Sequence, residues 1–236
     1  MDVGWNTIIL LVLVAVVLIY MVIPNILFKI LGLGSWKYQA ASGVAITFDD
    51  GPNPEVTPQI LDILDHHEVN ATFFVVGEKA ARYPELIKMI KERGHQLGAH
   101  SNHHQFEVFK SPWKTWQDWN DCIATLERLT GGKVILVRPP WGTFNLCTWL
   151  WMKSHHKQVV LWSAEGHDWQ CKRSPEQIIT RILKRIKPGS ILVLHDAGGD
   201  EGAPQNTLRS LDELCRKIVH DKKLPLVALK MPQYSK

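Results

Sequence analysis

Hydrophobic positions along the chain follow two different rules. Residues 7–23, TIILLVLVAVVLIYMVI, form an unbroken apolar run without charge, and Asn25-Ile26-Leu27-Phe28 lengthens it. About 20 such residues cross a hydrocarbon core, so the run predicts one N-terminal transmembrane helix. Trp5, Tyr20 and Trp36 stand where interfacial aromatics belong. A cleaved signal peptide is the competing reading. The run is long for one, has no basic flank before it and shows no clean small-x-small cleavage site. Beyond a glycine-containing linker at 31–42 the pattern changes. Strand-like apolar segments at 44–49, 71–76, 96–100, 134–138, 158–164, 190–195 and 224–230 are separated by amphipathic segments at 57–67, 78–93, 112–130, 146–156, 175–186 and 204–220. Gly94, Gly131-Gly132 and Pro188-Gly189 mark helix ends, and Ser174-Pro175-Glu176 reads as an N-cap followed by a first-turn proline. About seven strands alternating with six helices predict an α/β fold of parallel βα units, either a barrel or an open doubly wound sheet.

Composition narrows this picture only slightly. The 236 residues suit one domain plus a small appendage, and the net charge of +4 comes from dispersed basic residues, which gives no nucleic-acid footprint. Cys122, Cys147, Cys171 and Cys215 are widely spaced with no CxxC pair, so a thiolate zinc site is unsupported and buried free thiols are expected. The 11 histidines allow metal or proton-transfer chemistry.

Chemistry-bearing residues recur at the carboxyl ends of the predicted strands, where βα folds place their sites. Val44-Ala45-Ile46-Thr47-Phe48-Asp49-Asp50-Gly51-Pro52 ends on two adjacent carboxylates. Neighbouring strand side chains point to opposite faces, so the chain must bend there if both are to reach one site. Two like charges so close invite a cation. His100 and His104 are four residues apart, and two imidazoles plus one carboxylate make a three-ligand set that leaves a position open for water. His103 has the wrong spacing. Arg138 precedes Pro139-Pro140-Trp141-Gly142, Asp168-Trp169 follow the fifth strand, and His195-Asp196 end the sixth.

In their order along the chain these motifs resemble polysaccharide deacetylases, the NodB-homology proteins of carbohydrate esterase family 4. The matching residues are Thr47-Phe48-Asp49-Asp50-Gly51-Pro52, His100-Ser101-x-x-His104, Arg138-Pro139-Pro140-Trp141-Gly142, Asp168-Trp169 and Leu192-x-Leu194-His195-Asp196, within a resemblance that spans 42–230. It implies a distorted (β/α) barrel with fewer than eight regular units, and it divides the chain into an anchor and linker at 1–36 and a deacetylase domain at 37–236. It also implies that Asp50, His100 and His104 bind a divalent metal, commonly Zn2+, with Co2+, Ni2+ or Mn2+ as substitutes. Asp49 would be the general base, oriented by Arg138, and His195 the general acid, partnered by Asp168. The Trp141 backbone N–H would help hold the oxyanion, and Pro139, Trp141, Trp169 and Leu194 would shape the pocket for the acetyl group and sugar. Trp141 stands where a tyrosine is common, which alters the pocket wall. Glu165 supplies the acid that the family often carries three residues before the Asp-Trp pair.

The expected reaction is metal-dependent removal of N-acetyl groups from GlcNAc-type residues of a peptidoglycan- or chitin-like polymer. An amidase on short acylated oligosaccharides or small acylamides and a non-catalytic glycan-binding module are the alternatives. A cell-wall substrate expects an extracytoplasmic, single-pass, membrane-anchored enzyme. Lys29 and Lys37, following the apolar run, vote the other way under the positive-inside rule.

Overall fold

The computed structural model describes residues 4–230. A long apolar helix α1 (Trp5–Ile30, mean hydropathy 3.0 over an 18-residue window) opens it, unburied in its first half. Its second half passes through two π-helical turns and seats Phe28 in the domain core, against Phe144 and stacked on Trp149 at 5.0 Å between ring centroids. The chain then alternates as βα units: β1 (Ser35–Trp36), β2 (Ala45–Asp49), α2 (Thr57–His66), β3 (Thr72–Val75), α3 (Gly77–Arg82), α4 (Pro84–Glu92), β4 (Gln96–Ala99), α5 (Pro112–Thr130), β5 (Leu136–Val137), α6 (Leu146–Ser154), β6 (Gln158–Val160), β7 (Ala164–Glu165), α7 (Pro175–Leu183), β8 (Ile191–His195) and α8 (Ala203–His220).

The eight strands form one curled parallel sheet in the order β1-β6-β5-β4-β3-β2-β8-β7. Strands β2, β3 and β8 are apolar on both faces because the sheet is buried on both. Parallel register sets the functional rim. Asp49 lies beside His195 and Phe74, Phe74 beside Gly98, and Ala99 beside Val137, so His100 and Arg138 leave their strands two residues beyond the level of Asp49, on the same rim.

Several expectations are corrected. Among the described residues eight strands occur where about seven were expected: the expected linker adds Ser35–Trp36 at the sheet edge beside β6, one expected strand divides and another is absent. The segment 158–164 is two strands, since β6 pairs near one edge of the sheet and β7 at the other. Residues 161–163 therefore cross the gap that keeps the half-barrel open. The segment 224–230 is no strand and makes one bridge, Leu226 to Val44. Pro225 within it has no N–H to give a ladder. Pro84 lacks an N–H too and restarts the helix expected to run unbroken through 78–93. The four cysteines are free, with Cys122 and Cys215 buried but Cys147 only partly so and Cys171 exposed.

Phe28 is 7 % exposed and joins the end of α1 to the core. Phe28→Ala should therefore destabilise the domain by about 3 kcal/mol, the usual cost of emptying a buried aromatic site. A lowered thermal midpoint of the detergent-solubilised chain is the expected reading, and an unchanged midpoint would show that α1 does not share the core's stability.

Candidate active site

The cleft at the carboxyl ends of the strands has a volume of about 550 Å³ and is lined by Asp49, Asp50, His100, His104, Trp141, Trp169 and His195, among others. Asp49 and Asp50 both reach it because Asp50 takes a left-handed backbone, φ 72°, which supplies the bend that strand alternation demanded. The Lys79 amine holds the Asp50 carbonyl at 2.8 Å and fixes that bend. His100 and His104 are brought together by a tight turn in which Ser101 and His104 also have positive φ, and the Ser101 hydroxyl accepts from the His104 N–H.

Asp50 Oδ1 lies 3.2 Å from His100 Nε2 and 2.8 Å from His104 Nε2, and one ligand atom from each residue falls within 4.8 Å of the others. His100 Nδ1 is 2.7 Å from the Arg138 carbonyl, which fixes the ring and turns Nε2 to the cleft. Burial would raise the Asp50 pKa, but hydrogen bonds from His100 and His104 outweigh it and hold the carboxyl well below the usual range. Two oriented imidazoles and a persistently ionised carboxylate fit a divalent metal of the zinc type. His103 turns away to Asp118 at 2.7 Å, as its spacing predicted.

Asp49 is held differently. Its Oδ1 accepts from the Arg138 guanidinium at 2.6 Å, while Oδ2 stays 3.8 Å from His100 Nε2. Arg138 is fully buried. It also donates to Thr47 Oγ1 and to the carbonyls of Val160 and Leu161, and it lies over the Phe74 ring. Across the cleft, Asp168 is wholly buried and takes the His195 backbone N–H at 2.7 Å and the Thr207 hydroxyl at 2.8 Å. His195 Nδ1 faces the same carboxylate at 3.2 Å, leaving Nε2 for the cleft. Burial would lower the His195 pKa. The Asp168 charge and hydrogen bond, with smaller help from Asp50 and Asp49, lift it to about 10.

The remaining sequence-derived positions divide. Trp141 and Trp169 line the cleft, whereas Pro139 is buried and absent from its wall. Leu194 is a correction: strand alternation turns it into the core at 0 % exposure and presents its neighbour Val193 to the cleft. Sequence reasoning missed Lys29, whose amine donates to the Trp141 carbonyl at 2.9 Å, and also Trp162 and Lys79 as wall residues, while Gly198 in the wall belongs to the glycine-rich segment that reads as a rim near the site. Lys29 carried a signal, being the first charge after the apolar run. Gly198 had only its place in a glycine-rich loop. A larger, mainly apolar groove of about 750 Å³ lies between α1 and α6 and shares no wall residue with the cleft.

A parallel α/β half-barrel with carboxylates, imidazoles and a buried arginine at one rim defines a hydrolytic enzyme class. A family model described as polysaccharide deacetylase matches residues 37–171. A peptidoglycan-N-acetylglucosamine deacetylase of Bacillus cereus is 37 % identical over 159 residues, covering 66 % of this chain and 74 % of that protein. A chitooligosaccharide deacetylase of Azorhizobium caulinodans is 33 % identical over 169 residues, covering 71 % of this chain and 80 % of that protein. The solved structure of the Bc1960 peptidoglycan N-acetylglucosamine deacetylase superposes with a TM-score of 0.78 at 29 % identity, covering 86 % of this chain and 94 % of that one. The chain belongs to the polysaccharide deacetylase family.

Gly198 has φ 69°, and a Cβ there would overlap Asp50 Oδ2. Gly198→Ala should displace that carboxylate and weaken zinc binding about tenfold or more, as substitutions that disturb a ligand's support do. Competition titration of zinc against a chromophoric chelator reads the change, and wild-type affinity in the variant would remove Asp50 from the ligand set.

Proposed function

We propose that the chain hydrolyses N-acetyl groups from GlcNAc-type residues of a cell-wall or related polysaccharide, using a divalent metal, most simply Zn2+, held by Asp50, His100 and His104. The observation that carries this reading is the placing of two differently partnered groups across one cleft: Asp49 paired with the buried Arg138 guanidinium, and His195 held protonated by Asp168. When bound, the metal supplies Lewis acidity toward the attacking water and the amide carbonyl. Asp49 accepts the proton of the attacking water. The Trp141 backbone N–H, on a left-handed residue at the cleft wall, donates to the developing oxyanion; one such donor is typically worth about 3 kcal/mol. His195 Nε2 delivers a proton to the departing sugar nitrogen, so that the amine leaves neutral. Trp141 and Trp169, both partly exposed, give the sugar two flat faces.

The relatives' substrates, peptidoglycan and chitooligosaccharide, support a glycan bearing GlcNAc-type units. We further assign residues 1–36 to an anchor and linker and 37–236 to the catalytic domain. Helix α1 is long and apolar enough to span a membrane. A wall polymer as substrate favours the domain lying outside it.

Acetate release from chitooligosaccharides and from peptidoglycan tests the reading. Release should require metal, stop on chelation, return on adding zinc and be abolished in His100→Ala. Metal-loaded enzyme that releases acetate from neither polymer would sink the proposal, and the better substrate would identify the polymer. A second prediction follows from Asp168. His195 serves as an acid only while protonated, so activity should fall as pH rises through its raised pKa. In Asp168→Asn that alkaline limb of kcat/KM should move to lower pH, with kcat reduced on the order of 10²-fold. An unmoved limb would assign the proton donor to another group.

A further inference from the structure

The domain leans on its membrane helix from one side only. Tyr20 donates its hydroxyl to the Lys110 carbonyl at 2.7 Å, Asn25 exchanges hydrogen bonds with the Phe144 backbone, and Lys29 holds the Trp141 carbonyl. Lys110 lies between β4 and α5, and Trp141 and Phe144 lie between β5 and α6. All three therefore belong to loops leaving the carboxyl ends of strands, the face that carries the cleft.

The depth of these contacts follows from the helix. A hydrocarbon core of about 30 Å takes roughly 20 helical residues. Counted from Trp5, its far boundary falls beside Asn25, about 7.5 Å past Tyr20 at 1.5 Å per residue, so the Tyr20–Lys110 contact lies at the depth of the outer acyl chains and not above the membrane. Whatever flanks Lys110 must share that depth. Phe109 and Trp113 flank it, and they are 78 % and 77 % exposed, among the most exposed large apolar side chains described outside α1. Exposed Lys114 adjoins Trp113, and a lysine there reaches anionic headgroups while its stem stays with the aromatics. The Lys110 amine, by contrast, is buried between Glu107 and Asp118 and is not available to lipid.

We infer that Phe109 and Trp113 insert into the interface of the bilayer that α1 enters, seating the domain with its cleft face toward the membrane. Aromatic rings with one wet edge favour this layer. Phe106, stacked on Trp141 at 3.7 Å between centroids, continues the cleft wall toward the same surface. The mouth of the site then opens at the membrane, and the glycan units within reach are those close to the lipid. A glycan-binding platform is the other use of two exposed aromatics; the depth set by Tyr20 favours lipid.

This inference rests on reading α1 as an uncleaved anchor. The test uses the full chain in phosphatidylethanolamine–phosphatidylglycerol nanodiscs, with the photo-crosslinking residue p-benzoylphenylalanine at Phe109, at Trp113 or, as control, at exposed Lys133 on the opposite, amino-end pole of the sheet. The first two replacements keep an aromatic on the surface and leave the core intact. Irradiation followed by mass spectrometry should give lipid adducts at 109 and 113 and none at 133. Retention of the chain in membranes after alkaline carbonate with no lipid adduct at either position would overturn the docking alone. Adducts with added chitooligosaccharide in place of lipid would overturn it in favour of a glycan platform. Release by carbonate would overturn the anchor and the docking together.

Discussion

Arg138 is the constraint on which the rest of the site depends. The half-barrel is open between its edge strands β1 and β7, and the carbonyls of Val160 and Leu161, where the chain leaves β6 to cross that opening, accept from the guanidinium. A fully buried cation is costly unless every donor finds an acceptor. Here those acceptors are two backbone carbonyls, Thr47 Oγ1 and Asp49 Oδ1. The same side chain thus closes the barrel where ladder hydrogen bonds stop and fixes the carboxylate beside the His-Asp cluster. Breaking such a pair from one side typically costs about 3–5 kcal/mol, because the partner is left charged and dry. Its backbone carbonyl contributes as well, by orienting His100. One residue therefore links sheet closure, the Asp49 carboxylate and a candidate ligand.

Backbone strain gathers around this residue. Asp50, Ser101, His104 and Trp141 all have positive φ, a conformation costing on the order of 1–3 kcal/mol for residues other than glycine. Each serves to aim a group that regular structure would misdirect. Asp50 escapes strand alternation, His104 folds back beside His100, and Trp141 turns at the cleft wall. The register of β2, β3, β4, β5 and β8 supplies the rigid frame that holds these turns in place.

Much of this was legible in the sequence, for a physical reason. The motifs are local: Asp49-Asp50-Gly51-Pro52, His100 to His104 and the Arg138 loop each combine a strand end with a turn, so pattern and chemistry coincide. What was not legible depended on distant partners. Whether 158–164 is one strand or two is decided by which edge of the sheet each half meets. Leu194 was placed at the pocket by resemblance, whereas the pleat gives that place to Val193. The strand at Ser35–Trp36 is two residues long, too short to show a pattern, and is defined by its pairing with β6. Lys29 read as a topological charge because nothing in its neighbourhood points to Trp141, more than a hundred residues away.

The hydrogen bond from Lys29 to the Trp141 carbonyl joins the N-terminal apolar helix to a loop at the cleft wall. Free energy shared across such a joint is reciprocal: a ligand that prefers one position of the loop also shifts the preferred seat of the helix, by the same amount. Were that helix to lie in a bilayer, bilayer thickness and composition would act as effectors do, without contacting the cleft, and catalysis would belong to the chain and its membrane taken together.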